Sequence, residues 1–128
     1  QSQSTSNPTS ISQVAAEAGL NGDQSFVAMM TQAFRERHDV VYKTLKAMPG
    51  VEVAPADGAF YIFPNFQQAM NRLGLANDIA FAERLLNEVG VAVVPGSAFG
   101  AEGCARISFA TSMDNLTKAL ERIGRVIG

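Results

Sequence analysis

The chain has 128 residues, a length typical of one domain. Hydrophobic residues make up 47% of it and charged residues 17%, which supplies a buried core and excludes disorder throughout. The formal net charge of -2 argues against a protein that binds nucleic acid through its phosphates. No apolar run approaches the roughly 18–20 residues of a membrane span and no signal peptide is recognisable, so we expect a cytoplasmic protein.

Two helices are predicted first. An Ala-rich stretch from Ile11 to Leu20 predicts a short helix that ends at Asn21-Gly22. Asp23 is the predicted cap of a long helix from about Gln24 to Met48. Its apolar residues recur at helical spacing: Phe26, Met30, Ala33, Phe34, Val41, Leu45 and Met48.

Strands and helices then alternate along the sequence. Strands are predicted at Val51–Val53, Ala59–Phe63, Val91–Val94 and Cys104–Ala110. Helices are predicted at Phe66–Arg72, from Asn77-Asp78 to Val89, and after a cap at Ser112. The alternation predicts an α/β fold, with a small three- to four-stranded sheet covered by helices. Ile79, Ala82, Leu85, Leu86 and Val89 are the predicted apolar face of the helix that begins at Asn77-Asp78.

Arg106 is the first candidate for a functional residue. In the strand Cys104–Ala110, alternation places Ala105, Ile107 and Phe109 on one face and Arg106 on the other. An arginine in an apolar strand needs a partner, and its planar fork suits the carboxylate of a substrate. The alternative is a structural arginine that pairs with a remote Asp or Glu.

Other chemically capable residues give weaker signals. His38 lies in the polar middle of the long helix and is interpreted as solvated, and Cys104 as a small buried apolar residue. The loop Val94–Gly100 lacks phosphate-binding spacing, so its glycines indicate tight turns. Glu83 and Glu88 are predicted to be solvated, and no cluster has the spacing of a metal site.

Four segments, in order, resemble the fold-type I aminotransferases, and most closely the bacterial aspartate aminotransferase branch. They are Gln3–Pro8 (QSTSNP), Asp57–Tyr61 (DGAFY), Val91–Gly100 (VAVVPGSAFG) and Ala105–Ala110 (ARISFA). The resemblance covers essentially the whole chain. It implies a C-terminal portion of such an enzyme, with residues 1–22 in the large domain, 23–50 as a long interdomain helix and 51–128 as the small C-terminal domain.

The resemblance also implies roles for individual residues. Arg106 matches the arginine that binds the substrate α-carboxylate, and Phe60 matches an aromatic position that borders the substrate pocket. Ser6 and Asn7 match a segment that reaches the active site of the other subunit in the family's homodimer.

The family's cofactor is pyridoxal 5'-phosphate, which a lysine binds covalently. The three lysines here, Lys43, Lys46 and Lys118, do not lie in the family's Ser-x-x-Lys context. We therefore expect the sequence to be a fragment of a longer chain that carries no catalytic residue itself.

The resemblance implies an aminotransferase that moves an amino group from an L-amino acid to a 2-oxo acid, with aspartate and 2-oxoglutarate as the expected pair. Aromatic amino acids and prephenate are rival substrates. Two other functions stay open: a non-catalytic α/β module that binds a carboxylate at Arg106, and another pyridoxal-phosphate enzyme of the same fold.

Overall fold

The computed structural model of the protein describes residues 6–128. The chain forms two compact units, Gln1–Gln32 and Ala33–Gly128. Helix α2, Ser25–Ala47, begins in the first unit and continues into the second. Residues 1–5 of the predicted polar segment lie outside the described residues, and the assignment to a large and a small domain stays a prediction.

The first unit confirms the two predicted helices. Helix α1 spans Ser10–Asn21, and the hydroxyl of Thr9 caps it by accepting from the Ser12 N–H. The Asp23 carboxylate accepts from the Ser25 N–H at 2.9 Å where α2 begins. None of the unit's described residues is buried, and Phe26, predicted as part of an apolar face, is 54% exposed. A unit of this size is too small to enclose a core of its own.

The second unit is a three-stranded antiparallel sheet packed against helices, which confirms the predicted α/β class. In sequence order its further elements are β1 (Tyr61–Ile62), α3 (Gln67–Arg72), α4 (Asp78–Val89), β2 (Val94–Pro95), β3 (Ala105–Ser108) and α5 (Met113–Ile127). The strand order is β1-β3-β2, so β3 is central and pairs with both of its neighbours.

Two predicted strands differ from the structure, for the same reason. The segment Val51–Val53, predicted as a strand, forms one isolated bridge, between Glu52 and Asn65. The strand predicted at Val91–Val94 begins only at Val94, as β2. In each case the first N–H donates back to the preceding helix end. Val51 donates to the Met48 carbonyl and Val91 to the Leu85 carbonyl, so neither group is free for a ladder.

The core lies within the second unit, on one face of the sheet. Helix α5 buries the four residues Leu116, Leu120, Ile123 and Ile127, as its spacing predicts. The predicted face of α4 is confirmed in part. Leu85 is buried and Ala82 and Val89 are half-buried, whereas Ile79 and Leu86 are exposed. The other buried residues of α4 are Asp78 and Phe81. Among the described residues, no helix combines the length and apolarity needed to cross a membrane.

His38 corrects the prediction of a solvated residue, because its side chain is 15% exposed. Its Nε2 accepts the Ala56 N–H at 2.9 Å. Its ring stacks on Tyr42 and meets Phe109 edge-on. The polar run that suggested solvent exposure therefore contains a ring that anchors the loop leading to β1.

The loop after β2 is a tight turn, as its glycines predict. A 3-10 turn spans Gly96–Phe99 and ends at Gly100, whose φ of 72° is left-handed. The Gly96 N–H donates to the Cys104 carbonyl at 2.8 Å. A Cβ on Gly96 would lie 2.1 Å from the Ala101 oxygen and 2.7 Å from the Cys104 oxygen, so only glycine fits.

We predict that Gly96→Ala lowers the free energy of unfolding by about 3 kcal/mol, because the methyl group meets fixed backbone atoms. Gly58→Ala is the matched control, since nothing lies within 4 Å of its Cβ position and its change should stay within about 0.5 kcal/mol. Denaturant titration of both variants measures the difference. Equal stabilities would contradict the close approach at Gly96.

Candidate functional site

The sheet has a packed face and an open face, and β3 contributes to both. Ala105, Ile107 and Phe109 are buried, whereas Arg106 is half-buried and Ser108 is exposed. This alternation is the one that the sequence predicts for the strand. Arg106 pairs with Val94 of β2, and Ser108 pairs with Tyr61 of β1, so these side chains share the open face.

Two aromatic rings contact the guanidinium group of Arg106. Its Cζ lies 5.4 Å from the centre of the Tyr61 ring and 4.9 Å from that of the Phe99 ring. Tyr61 comes from β1, and Phe99 is the last residue of the 3-10 turn. Cation–π contacts of this kind are worth about 0.5–2 kcal/mol each and leave the edge of the guanidinium free to donate hydrogen bonds.

The Arg106 side chain has no acidic partner within residues 6–128. In this part of the chain Arg84 pairs with Glu88 and Lys118 with Asp114, and the Asp39 carboxylate lies 3.1 Å from Nδ1 of His38. The structural pair considered as an alternative from sequence is therefore not formed among the described residues. A half-buried guanidinium without a carboxylate is available to bind one.

We define an aromatic frame as Tyr61 and Phe99, which contact Arg106, together with Phe63, which contacts Phe99. Phe63 meets Phe99 edge-on, with ring centres 5.9 Å apart. Phe60, the other substrate-binding residue predicted from sequence, meets Tyr61 edge-on at 5.6 Å and is 51% exposed. The Phe60 carbonyl accepts the Phe109 N–H, which ties this residue to the end of β3.

Asp78 holds the turn that carries Phe99. It is the first residue of α4, the residue is 1% exposed, and its Oδ2 accepts the Ser97 N–H at 2.6 Å. Burial by itself raises the pKa of Asp78. Hydrogen bonds from the N–H and hydroxyl of Ser97 and from the N–H groups of Asp78 and Gly96 together outweigh it, so the pKa lies below its ordinary value.

The comparisons with known proteins agree with one another. The family model for aminotransferase class I and II matches residues 1–123. The chain belongs to this family. Of the curated relatives, the aspartate/prephenate aminotransferase of Nitrosomonas europaea is 51% identical over 133 residues, covering 99% of this chain and 34% of that protein.

Solved structures of aminotransferases resemble the fold as well. The aspartate aminotransferase of Rhizobium meliloti has a TM-score of 0.83 and 40% identity, covering 98% of this chain and 33% of that one. The alanine aminotransferase of Pyrococcus furiosus has a TM-score of 0.85 and 32% identity, covering 94% and 30%. The chain thus spans about a third of the length of the relatives that it matches.

The remaining residues that the family resemblance singled out are in the first unit. Ser6 and Asn7 are exposed and belong to the first compact unit, whereas Arg106 and Phe60 belong to the second. Their role in a partner's active site stays a prediction. Tyr61, Phe99 and Asp78 were not recognised as site residues from sequence, because their contacts with Arg106 or Ser97 join separate segments.

The three lysines do not fit the covalent attachment of pyridoxal phosphate. Lys43 and Lys46 lie on α2 and Lys118 on α5, all of them exposed. The Nζ of Lys46 donates to the Tyr42 hydroxyl and that of Lys118 to the Asp114 carboxylate. No contact described above joins one of these lysines to Arg106, and the expectation that the cofactor lysine lies outside this chain stays a prediction.

Other groups add no second centre to the described part of the chain. Among residues 6–128 no group of three His, Cys, Asp or Glu side chains could hold a metal ion. Cys104 was predicted to be buried and is half-buried. Its burial, and to a smaller extent the negative charge of Asp78, raise the pKa of its thiol. The thiolate is therefore disfavoured at neutral pH.

We predict that Asp78 makes the turn sensitive to acid. The pKa of Asp78 is lower in the folded state than the ordinary Asp value of about 4, which applies to the unfolded state. As the pH falls through about 4, the unfolded state therefore takes up a proton before the folded state does. The stabilisation is present above that pH and is lost as the pH falls through the folded pKa. Amide exchange at Ser97 should accelerate on acidification relative to intrinsic exchange. In Asp78→Asn this extra acceleration should disappear, and its persistence would contradict the role of the carboxylate.

We also predict that the chain alone forms no specific adduct with pyridoxal phosphate. After incubation and borohydride reduction, peptide mapping should show no stoichiometric label at Lys43, Lys46 or Lys118, because each is exposed on a helix. A full-length member of the family, treated in the same way, is the positive control. One fully labelled lysine in this chain, together with transamination, would show that the chain is active by itself.

Proposed function

We propose that this chain is the substrate-carboxylate part of an aminotransferase that moves an amino group from an L-amino acid to a 2-oxo acid. L-aspartate is the proposed donor and 2-oxoglutarate the proposed acceptor. The observation that carries the proposal is the Arg106 guanidinium, which lies on the open face of the sheet without an acidic partner among the described residues. Membership of the aminotransferase class I and II family supports it.

Arg106 is suited to binding a carboxylate in a defined orientation. Its fork donates two parallel hydrogen bonds to a carboxylate, and the aromatic frame limits the directions in which the fork can point. Both proposed substrates carry a carboxylate next to the carbon that gains or loses the amino group. Fixing that carboxylate fixes the reacting carbon relative to the rest of the site.

The aromatic frame also lowers the polarity around the bound carboxylate. Tyr61, Phe63 and Phe99 are partly exposed in this structure, and a substrate that covers them excludes water from the ion pair. An ion pair between Arg106 and a substrate is then stronger than the same pair in open solvent. Phe60, beside Tyr61, extends the apolar border of the proposed pocket.

The cofactor of the proposed enzyme is pyridoxal 5'-phosphate, as the family resemblance implies. The lysines of this chain do not fit its attachment, so in this proposal the proton transfers and the cofactor contacts belong to residues outside the chain. The chain's own contribution is to bind and orient the substrate.

The proposed enzyme is a homodimer. The first unit exposes several large apolar side chains, which support the proposal that other parts of the protein cover this surface. These side chains are Ile11, Val14, Leu20, Phe26, Val27, Met29 and Met30. Ser6 and Asn7, close to them in sequence, are the proposed contribution to the active site of the partner subunit.

We predict that Arg106→Lys in the full-length enzyme lowers kcat/KM about ten- to a hundredfold. Lysine keeps the charge but loses the planar two-bond match, and one charge-assisted hydrogen bond is worth roughly 1.5–3 kcal/mol. Arg106→Ala should lower kcat/KM further. The loss should be similar for aspartate and for aromatic donors, because all of them carry the α-carboxylate.

The melting temperature of each variant separates this role from a structural one. Arg106 has no acidic partner within residues 6–128, so its removal leaves no buried carboxylate unpaired there. If Arg106→Ala mainly lowers the melting temperature and kcat/KM per folded molecule is intact, the arginine is structural and the proposed role is wrong.

A further inference from the structure

Asp78 carries a buried carboxylate at the start of α4. Capping of this helix does not explain its position. Asn77 already caps α4, since its side chain accepts the Ala80 N–H at 2.9 Å. The Asp78 carboxylate turns to the loop after β2 instead and accepts from Ser97 at 2.6 Å. Burying a carboxylate is costly unless several donors compensate for the lost water. The compensation here comes mainly from the 3-10 turn.

That turn has little freedom of its own. Gly96 donates to the Cys104 carbonyl and accepts from the Ala101 N–H, and its Cα approaches backbone atoms too closely for any side chain. Ser97 is bound to Asp78, and Phe99 follows two residues later in the same turn. The position of the Phe99 backbone is therefore set by the sheet on one side and by α4 on the other.

Phe99 in turn lies against Arg106. Its ring centre is 4.9 Å from the guanidinium carbon, closer than that of Tyr61 at 5.4 Å. Arginine has a long side chain with many rotamers, and a planar fork binds a carboxylate well only in a narrow range of orientations. No hydrogen bond or ion pair from residues 6–128 holds the guanidinium, so these ring contacts are what restrict it.

We propose that Phe99 and Asp78 are positioning residues for Arg106: Phe99 orients the guanidinium group from the 3-10 turn, and Asp78 fixes that turn to the start of α4. The inference rests on the proposed binding of the substrate carboxylate by Arg106. It assigns a consequence for substrate binding to a buried carboxylate that contacts the turn and not Arg106. The depressed pKa of Asp78 agrees with a carboxylate that stays ionised while it accepts these hydrogen bonds.

The experiment compares four single variants of the full-length enzyme, assayed with L-aspartate and 2-oxoglutarate. Phe99→Leu removes the ring face and should raise both KM values about two- to thirtyfold, with kcat within about a factor of two. Phe99→Tyr keeps the ring face and should raise the KM values less than Phe99→Leu does. Phe99 is half-exposed, so neither change should prevent folding.

Asp78→Asn should raise both KM values in the same direction as Phe99→Leu, with kcat again unchanged within about a factor of two. Asp114→Asn is its matched control, because Asp114 is also in the first turn of a helix but is exposed and pairs with Lys118. It should leave both constants unchanged. Constants are expressed per folded active site, so that a loss of stability in Asp78→Asn does not imitate a rise in KM.

A double-mutant cycle separates this inference from the proposed function. If Phe99 acts through the arginine fork, Phe99→Leu should raise KM less in an Arg106→Lys background than in the unmodified enzyme. Unchanged KM values in Phe99→Leu and Asp78→Asn would overturn the positioning role, and so would additive effects in the cycle. If Arg106→Lys alone still lowers kcat/KM in that case, the proposed role of Arg106 stands without this inference. Normal kinetics in Arg106→Lys would overturn the proposed role of Arg106 and this inference with it.

Discussion

The central strand β3 is the element on which the rest of the second unit depends. It is four residues long, pairs with β1 on one edge and β2 on the other, and alternates between two environments. Ala105 and Ile107 are buried with the helices, and Arg106 lies between them in sequence on the opposite face. A shift of one residue in register would put the guanidinium into the core, so the hydrophobic packing that holds the fold also fixes where the charge lies.

Much of this arrangement could be predicted from the sequence, since it follows from local periodicity. The alternation around Arg106, the apolar spacing of α5 and the caps at Asn77 and Ser112 all indicated the observed elements. The surroundings of Arg106 could not be predicted in the same way. Its ring contacts come from Tyr61 in another strand and from Phe99 in the preceding turn, and residue spacing carries no information about which segments meet. His38 shows the same limit, because its acceptor role depends on a loop 18 residues away.

The candidate site is built from two kinds of constraint with different tolerances. The turn after β2 is fixed by backbone contacts at Gly96 and by a buried carboxylate, both of which leave little room for adjustment. The aromatic frame is partly exposed and held by ring contacts, which vary smoothly with distance. A rigid turn beneath an adjustable aromatic lining suits the proposed function, because the proposed donor and acceptor carry the same carboxylate next to different side chains.

The positive charge of Arg106 also affects the distribution of small anions around the protein, although the formal net charge of the chain is -2. The charge of Arg106 is only partly shielded by rings, and nothing in the described part of the chain neutralises it. Mobile anions such as chloride or phosphate will therefore gather at the open face whenever no carboxylate is bound. The proposed binding of a substrate carboxylate at this position is then an exchange of one counter-ion for another, and its apparent strength depends on the composition of the buffer as well as on the protein.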